Sequence, residues 1–457
     1  MTAAEPLTIA AAAPLIRSGE LTPSELLEQC LRRIDIYEPA VQAWVYLDRE
    51  RARRDAARLT DEAKAGRVRG PLHGIPVGVK DIIDVFDMPT GCGSKLWANS
   101  YARRDATVVE RLRQAGAVIL GKTVTTPYAY LDPPPTRNPW DLTRTPGGSS
   151  SGSAAAVACG MCLAALGTQT GGSLTRPASY CGIASLKATH GRVSRDGVLP
   201  LAPTLDHIGF MARAVYDLAV LFEASAGRDD REPDCWSDPA SDLTGCITAA
   251  LDPDREHGYT YARLGGIFAT AATADMRSAV HAAQQMLRSD SGCEVVPGVA
   301  PAGMEALPRH SQAIYATEAA LTHGERMLRR PDDYPPRLTA LIVEGIETSA
   351  IVYAEAVRFR RDMERTNYDV AAVVPFLTPA TVDAPPTVET TGSPLLNVPW
   401  SFLGYPTVSL PVDWSADGLP QAVQLVGGRM EEGRLFARAA VAERAFGFAH
   451  RLPPVPG

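Results

Sequence analysis

The stretch from Ala154 to Leu166, AAAVACGMCLAAL, restricts the possible folds of this chain more than any other segment. It is an uninterrupted run of small and apolar residues, and Gly- and Ser-rich segments flank it on both sides. The run is too short and too rich in Ala and Gly to span a bilayer. We therefore expect a helix of small residues from Ser153 to Leu166, buried inside a large core.

Composition supports a large soluble core. The chain has 457 residues, of which 45% are hydrophobic and 21% charged, and its net charge is -7. This mildly acidic balance argues against a general nucleic-acid binder or a protein that binds anionic membranes. The first residues contain no basic segment before the apolar stretch, which Pro14 interrupts. We read no secretory signal and expect a cytoplasmic protein.

Helix and strand signals alternate along the first half of the chain. Thr22 to Glu25 has the pattern of a capping box with a first-turn proline, ahead of a helical repeat. The segment GPLHGIPVGVKDIIDV around Lys80 has the β-branched content of a buried strand. AVIL at 117–120 indicates another strand after a helix. We predict an α/β fold with a central twisted mixed β-sheet covered by helices on both faces.

We predict one single large domain over residues 1–457, since no repeat, low-complexity tail or linker divides the chain. Within it, residues 1–66 form a helical N-terminal layer, and about 228–368 form a more variable, helix-rich part. Two local predictions are a helix from Met211 to Glu223 and a late strand from Val370 to Pro375.

The cysteine and histidine patterns do not indicate a metal site. The eight cysteines are scattered, and the one CxxC, Cys159 to Cys162, lies inside the apolar run without a second pair at zinc spacing. The eight histidines form no HExxH motif. We therefore predict packing cysteines, no metal and no cofactor.

Lysine is rare in this chain. Of the 45 basic residues only five are Lys, namely Lys64, Lys80, Lys95, Lys122 and Lys187. A desolvated lysine can lose its proton, whereas an arginine effectively cannot. Each remaining lysine is therefore a candidate for proton chemistry, although chance retention is the alternative, above all for Lys64 and Lys95.

Two motif matches lack the local structure that their chemistry needs. Gly116 to Thr123 fits the phosphate-loop pattern GxxxxGK[ST], but its central AVIL is strand-like and the helix precedes it. Gly148 to Gly152 fits the nucleophile elbow GxSxG with Ser150 at the centre, but a proline-interrupted loop takes the place of the upstream strand. Neither an ATPase nor an α/β-hydrolase is favoured.

A set of longer motifs resembles the amidase signature family over nearly the whole chain. The segments are GIPVGVKDIIDV around Lys80, GKT at 121–123, TRNPWD at 136–141, the long stretch GGSSSGSAAAVACGMCLAALGTQTGGS at 147–173, TLDHIGFMAR at 204–213 and NVPWSFLGYPTVSLPVDW within 397–427. They occur in the family's order. The resemblance implies an amidase signature fold and an amidohydrolase with a Ser-cisSer-Lys triad.

Residue by residue, the resemblance assigns the nucleophile to Ser173, the bridging serine to Ser149 and the catalytic lysine to Lys80. The offset of 24 between the two serines (173 − 149) matches the family without insertion. Ser150 and Ser151 are then expected to cap a helix or support the loop. Lys122 and Lys187, which also lie in family motifs, are expected to be structural.

The roles also make physical sense. A serine hydroxyl is a weak nucleophile until a base takes its proton, and Lys80 can be that base only if an apolar setting lowers its pKa. Ser149 can relay the proton between them. The backbone N–H groups of Thr170, Gly171, Gly172 and Ser173 are the expected oxyanion hole, because glycine lets the backbone approach a substrate closely.

Departures from the family pattern concern the substrate. The usual form GTDxGGSxRxP pairs an Asp with an Arg, where this chain has Gln169 and Thr175, and its arginine is displaced to Arg176. This form is similar to the malonamidase branch, where an arginine at this position receives a substrate carboxylate. Arg176 either binds a carboxylate or is a structural residue. Pro127 and Ala188 also depart from the family pattern.

Three functions remain open. The first is a stand-alone amidohydrolase acting through an acyl-enzyme on a small amide that bears a carboxylate, with water as the second substrate. The second is the glutaminase subunit of a tRNA-dependent amidotransferase, which ammonia release from free glutamine without partner proteins would distinguish. The third is a non-catalytic binding protein on the same fold. We expect no nucleic-acid or membrane partner, and the sequence leaves a homodimer open.

Overall fold

The computed structural model describes residues 5–232, 234–236, 238, 240, 242–254, 258–289, 293–368 and 371–456. Eleven strands in this part of the chain form one sheet in the order β1-β3-β2-β4-β6-β5-β10-β11-β9-β7-β8. They are β1 Trp44–Leu47, β2 Pro76–Lys80, β3 Val118–Thr123, β4 Ala164–Gln169, β5 Ala184–Lys187, β6 His207–Ala212, β7 Thr260–Leu264, β8 Glu294–Gly298, β9 Phe376–Pro379, β10 Thr407–Trp414 and β11 Pro420–Val426.

The sheet is mixed, as predicted. β2 runs parallel to both β3 and β4, and β7 runs parallel to β8 and β9. The remaining neighbours, from β4 through β6, β5, β10 and β11 to β9, pair antiparallel, as do β1 and β3. Parallel strands need long crossovers, which helices supply.

The helices of the described chain lie before, between and after these strands. They are α1 Ile9–Ser18, α2 Pro23–Val41, α3 Arg49–Lys64, α4 Thr107–Gln114, α5 Ser151–Ala158, α6 Thr175–Cys181, α7 Val215–Ser225, α8 Leu243–Ala250, α9 Ile267–Thr270, α10 Ala274–Ser289, α11 Leu307–Arg329, α12 Pro336–Glu347, α13 Ala350–Thr366, α14 Val398–Phe402 and α15 Glu432–Phe446. None of the described helices combines the length and apolarity needed to cross a bilayer.

Alternate residues of β3 show that helices cover both faces of the sheet. Ile119 belongs to a core cluster that includes residues of α4 and α7. Val118 and Leu120, which point to the opposite face, belong to a cluster with residues of α3 and α5. Because side chains alternate along a strand, the two clusters lie on the two faces. The predicted α/β fold with helices on both faces of a mixed sheet is confirmed.

The capping box at the start of α2 is also confirmed. The side chain of Thr22 accepts from the backbone N–H of Glu25, and the Glu25 carboxylate accepts from the backbone N–H of Thr22. The N-terminal 66 residues contain α1 to α3 and also strand β1. The subdivision into an N-terminal layer and a variable part at about 228–368 stays a prediction.

The small-residue segment is shorter as a helix than predicted. Helix α5 spans Ser151–Ala158, and the chain then turns at Gly160, whose φ is +64°. The remaining residues of the run enter strand β4, where Ala164 to Leu166 pair with β2. The prediction of one helix to Leu166 is wrong because small apolar residues fit a buried strand as well as a buried helix.

Two other local predictions need correction. Met211 belongs to strand β6, and helix α7 begins only at Val215, so the apparent helical repeat includes part of a buried strand. The late strand is β9, Phe376–Pro379, rather than Val370 to Pro375; Val370 itself lies outside the described residues. In both cases apolar residues continue across the boundary between two elements, so the sequence pattern does not show where one element ends and the next begins.

Close backbone contacts explain several glycines. A Cβ on Gly121 would lie 2.1 Å from the carbonyl oxygen of Tyr46, so β1 and β3 could not approach as they do. A Cβ on Gly152 would lie 2.1 Å from the carbonyl oxygen of Ala43. The second contact seats the start of α5 directly against the loop before β1. Gly121 and Lys122 lie within β3, so this segment is a strand rather than a phosphate loop.

Substitutions at one glycine of α11 and one of α12 test how closely these two helices pack. A Cβ on Gly345 of α12 would lie 1.9 Å from the carbonyl oxygen of Ala316, whereas the nearest atom to a Cβ on Gly324 of α11 is Ile346 Cδ1 at 3.8 Å. Ala is a better helix former than Gly by about 0.5–1 kcal/mol. Gly324→Ala should therefore raise the free energy of unfolding by that amount.

Gly345→Ala should instead lower the free energy of unfolding by about 1–3 kcal/mol, because the backbones must separate. Chemical denaturation of both variants measures the difference. Shifts of the same sign in the two variants would contradict this packing.

Candidate active site

Lys80, the last residue of β2, is completely buried. Its Nζ lies 2.7 Å from Ser149 Oγ and 2.7 Å from Thr168 Oγ1. Burial lowers the pKa of Lys80 to about 7, and the negative charge of Asp206 partly opposes this shift. An amine in this setting can exist in its neutral form near neutral pH.

The two other buried lysines have different surroundings. Lys122 Nζ lies 3.1 Å from the Asp81 carboxylate and donates to the carbonyl of Pro89. Lys187 Nζ donates to the carbonyls of Ala188 and Tyr405. Of these three buried lysines, only Lys80 contacts a serine hydroxyl.

Ser149 follows a cis peptide bond from Gly148 and is buried just before α5. Its carbonyl accepts from the backbone N–H of Thr126. The next residue, Ser150, donates its backbone N–H to the carbonyl of Ser173 at 3.3 Å. The structure therefore brings the segment of Ser149 alongside Ser173, with Lys80 on the side of the Ser149 hydroxyl.

Ser150 and Ser151 support the loop. Ser150 Oγ bonds both the backbone N–H and the carbonyl of Thr168 at 3.2 Å, and Ser151 Oγ donates to the carbonyl of Gly147 at 2.7 Å. Neither serine is engaged by Lys80. Of the two functions expected for them, loop support rather than a side-chain helix cap is observed for Ser150.

Ser173 ends a turn between β4 and α6. In the described part of the chain, the backbone N–H groups of Gly171, Gly172 and Ser173 find no acceptor. Position 172 of this turn has no room for a side chain, because a Cβ on Gly172 would lie 2.6 Å from Asn397 Oδ1. Thr170 donates its hydroxyl to Asp206 at 2.6 Å. Free backbone N–H groups that are fixed in a turn can stabilise the oxygen on which negative charge develops during the reaction.

Gln169, which stands where the usual family pattern has an Asp, forms neutral hydrogen bonds. Its Oε1 accepts from the backbone N–H groups of Leu174 and Thr175 at 2.9 and 3.0 Å, and its Nε2 donates to Ser401 Oγ. The amide therefore holds the first turn of α6, the helix that carries Arg176, directly behind Ser173.

Arg176 is 1% exposed and has no carboxylate partner in the described structure. Its Nη2 donates to the carbonyl of Gly148 at 2.7 Å and to Thr391 Oγ1 at 3.3 Å, while Nε and Nη1 have no partner there. Burial lowers its pKa to about 10. The guanidinium is thus both fixed beside Ser149 and left with free donors, which an anion could satisfy.

Thr168 and Asp206 take part in this site although sequence analysis gave them no role. Thr168 bonds Lys80, and Asp206 bonds Thr170 and also accepts from the backbone N–H of Leu201 at 2.8 Å. The sequence could have indicated Thr168, because it lies two residues before Thr170 on an extended segment and the two side chains therefore point to the same side. Asp206 lies in the motif TLDHIG, but its approach to Thr170 joins distant parts of the chain.

No group of three or more His, Cys, Asp or Glu side chains that could hold a metal occurs among the described residues. Cys159 and Cys162 are both buried and unpaired, and burial raises the pKa of both thiols well above the usual value. They pack in the core cluster around α5.

Comparisons with known proteins agree with this architecture. A family model described as Amidase matches residues 25–436. The putative amidase AmiD of Mycobacterium tuberculosis (strain ATCC 25618 / H37Rv) is 33% identical over 98% of this chain and 96% of its own length. A glutamyl-tRNA(Gln) amidotransferase subunit of Roseiflexus castenholzii is 34% identical over 100% of this chain and 99% of its own.

Solved structures are similar over the whole fold. A structure described as "An unexpected vestigial protein complex reveals the evolutionary origins of an s-triazine catabolic enzyme" has a TM-score of 0.89 and 31% identity, over 98% of this chain and 100% of its own. The peptide amidase from Stenotrophomonas maltophilia has a TM-score of 0.82 and 29% identity, over 98% and 99%. The chain belongs to the amidase family and is a hydrolase of carbon–nitrogen amide bonds.

Proposed function

We propose that the protein hydrolyses a small carboxylate-bearing amide through an acyl-enzyme, with Lys80, Ser149 and Ser173 as the catalytic triad. The observation that carries this proposal is the 2.7 Å contact between Lys80 Nζ and Ser149 Oγ in a buried setting that lowers the pKa of the lysine to about 7. A neutral amine beside a hydroxyl can act as a general base at physiological pH.

In the first step, Ser173 attacks the amide carbon while its proton passes through Ser149 to Lys80. Lys80 Nζ also donates a hydrogen bond to Thr168 Oγ1. This bond fixes the orientation of the amine and so the direction of its lone pair. The negative charge on the former carbonyl oxygen is stabilised by the N–H groups of the turn from Thr170 to Ser173.

In the second step, the proton returns through Ser149 to the amide nitrogen, the carbon–nitrogen bond breaks and the amine leaves. The acyl group then remains on Ser173 as an ester. Water attacks this ester with the same groups in the same order, and the product acid is released.

The substrate carboxylate would be bound by Arg176. This role is favoured over a purely structural one because Nε and Nη1 of Arg176 are free and no acidic partner of Arg176 occurs among the described residues. The hydrogen bond from Nη2 to the carbonyl of Gly148 fixes the cation next to the Ser149 segment. A carboxylate bound there would place its amide group within the site.

The glutaminase subunit of a tRNA-dependent amidotransferase is the second candidate, because relatives named as amidotransferase subunits match nearly the full length of the chain. The neutral Gln169 and Thr175 contacts and the displaced Arg176 favour a stand-alone amidase instead. A non-catalytic role is disfavoured because Lys80, Ser149 and Ser173 are all present. A cytoplasmic location and a homodimer stay predictions.

The triad is tested by single substitutions. Ser173→Ala, Ser149→Ala and Lys80→Met should each lower kcat by about 10³-fold or more, since each removes a member of one proton path. Ser151→Ala is the matched control, because its hydroxyl bonds only the loop carbonyl of Gly147, and its activity should stay within about tenfold of the parent. Turnover is measured over a panel of small amides, and wild-type turnover in the Lys80 variant would refute the triad.

The role of Arg176 is tested with a substrate pair. Arg176→Gln should raise KM for an amide bearing a terminal carboxylate by about 10–100-fold, because a charge-assisted hydrogen bond is lost. KM for the neutral analogue, in which a methyl group replaces the carboxylate, should change much less. Equal effects on the two substrates would indicate a structural arginine.

The base is tested by pH. Since the neutral form of Lys80 is active and its pKa is about 7, kcat/KM should rise with pH up to about 7 and level off above it. Asp206 holds the pKa of Lys80 up, so Asp206→Asn should move this rise to lower pH. Asp217→Asn is the control, because Asp217 also accepts two backbone N–H groups, but those of Ile9 and Ala10 of α1. If kcat/KM of Asp206→Asn rises at the same pH as that of the parent, the assignment of Lys80 as the base is contradicted.

A further inference from the structure

A cavity of about 280 Å³ adjoins the proposed triad on the side of Thr168. Thr168 and Thr170 both line it; they are two residues apart on an extended segment and so face the same side. Thr168 also bonds Lys80, so the cavity begins directly beyond the lysine. Apolar side chains of Ile82, Val198, Leu199 and Ile208 form much of the remaining wall.

The polar groups of this cavity are mainly acceptors. Asp206 lines it and is fixed by Thr170 and by the backbone N–H groups of Leu201 and Ala202. The carboxylate therefore cannot swing away from the cavity wall.

His207 adds an unsatisfied acceptor. Its Nδ1 contacts only carbonyl oxygens, those of Leu205 at 2.7 Å and Gln169 at 3.2 Å, so Nδ1 carries the proton. Burial holds the pKa of His207 well below its usual value, and the ring is neutral. Its Nε2 is then a bare acceptor, and it has no partner in the described structure although the residue is only 3% exposed.

The net charge of the cavity wall is negative. Three carboxylates line it, those of Asp206, Glu232 and Asp234, against the single guanidinium of Arg195. Arg195 is already paired with Glu232 at 3.0 Å and with Asp234 at 3.4 Å. Asp206 forms no ion pair among the described residues and interacts with Arg195 only at longer range, so its carboxylate suits a ligand with N–H donors and positive charge.

The proposed substrate site therefore has two poles. Arg176, beside Gly148, is a buried cation with free donors. Asp206, beside Thr170, is a partly buried anion at the edge of a cavity. A substrate whose acyl part carries the carboxylate would occupy the first pole, and the second pole is then left for the nitrogen side of its amide bond.

We propose that this cavity binds the leaving amine and selects amines that carry a positive charge or several N–H donors. The inference rests on the proposed function, because the amine is the group that departs when the acyl carbon–nitrogen bond breaks. In that step the bonding electron pair stays on nitrogen, and the proton that Lys80 took from Ser173 returns to this nitrogen through Ser149. The neutral amine so formed takes up a further proton from water.

Size and continuity support this assignment. A volume of about 280 Å³ is sufficient for a small amine. Glu232 and Asp234 line the cavity and also a neighbouring groove that contains Asp229 and Asp230. A cationic product leaving along this route stays near negative charge until it reaches solvent.

The test is direct binding of a probe amine to the full-length protein at pH 8, where the probe is charged. Propylammonium is titrated by ligand-observed NMR, with 1-propanol as the neutral probe of equal size. We expect propylammonium to bind with a Kd of about 1–10 mM, near the limit for so small a ligand. Asp206→Asn should weaken it by about tenfold or more and leave 1-propanol unchanged.

Asp217→Asn is the matched control, because Asp217, like Asp206, accepts two backbone N–H groups, and it does not line the cavity. It should leave propylammonium binding unchanged. Leu199→Trp, which places a large side chain in the cavity and keeps Asp206, is the second variant if Asp206→Asn does not fold, and it should abolish binding of both probes. Binding that is absent in the wild type, or equal in wild type and Asp206→Asn, would overturn the proposal.

Ser173→Ala separates this inference from the proposed function. Loss of hydrolysis in this variant with Asp206-dependent binding retained supports both. Full hydrolysis by Ser173→Ala would refute the proposed triad, whereas the cavity assignment would fail only if binding did not depend on Asp206.

Discussion

A completely buried amine without an adjacent counterion is the constraint on which the site depends. Lys80 has no carboxylate in contact, and its two hydrogen-bond partners are the hydroxyls of Ser149 and Thr168. Desolvation disfavours the charged form of such a group, and the pKa falls to about 7. Lys122 on the next strand is also buried, but its Nζ contacts the carboxylate of Asp81.

The sheet holds this constraint in place. Lys80 ends β2, and Thr168 lies near the end of the parallel neighbour β4, so both side chains meet at the carboxyl ends of two adjacent strands. Residues that follow β4 then turn through Ser173 into α6. Sites at this edge of a sheet are common because loops there can place several groups together without disturbing the core.

Two charged side chains of opposite sign are fixed near the serine segments. Arg176 is fixed by the carbonyl of Gly148, and Asp206 is fixed by Thr170 and two backbone N–H groups. Arg176 is buried and Asp206 is partly buried, and desolvation of a charge is costly unless a binding partner or hydrogen bonds compensate it. Asp206 has its hydrogen bonds, but Arg176 retains two nitrogens without partners in the described chain. This difference is the physical basis for assigning an anionic group of the substrate to Arg176.

The sequence by itself determined the α/β class, the capping box at Thr22 and the strand that carries Lys80, because these follow from local periodicity and capping. It also marked Lys80, Ser149 and Ser173, because their motifs lie in the family's order. It misjudged where α5 ends, since small apolar residues fit helix and strand equally well. Only the tertiary structure decided that Thr168 bonds Lys80 and that Asp206 reaches Thr170. Hydrogen bonds and desolvation depend on distances across the fold, which local residue patterns do not specify.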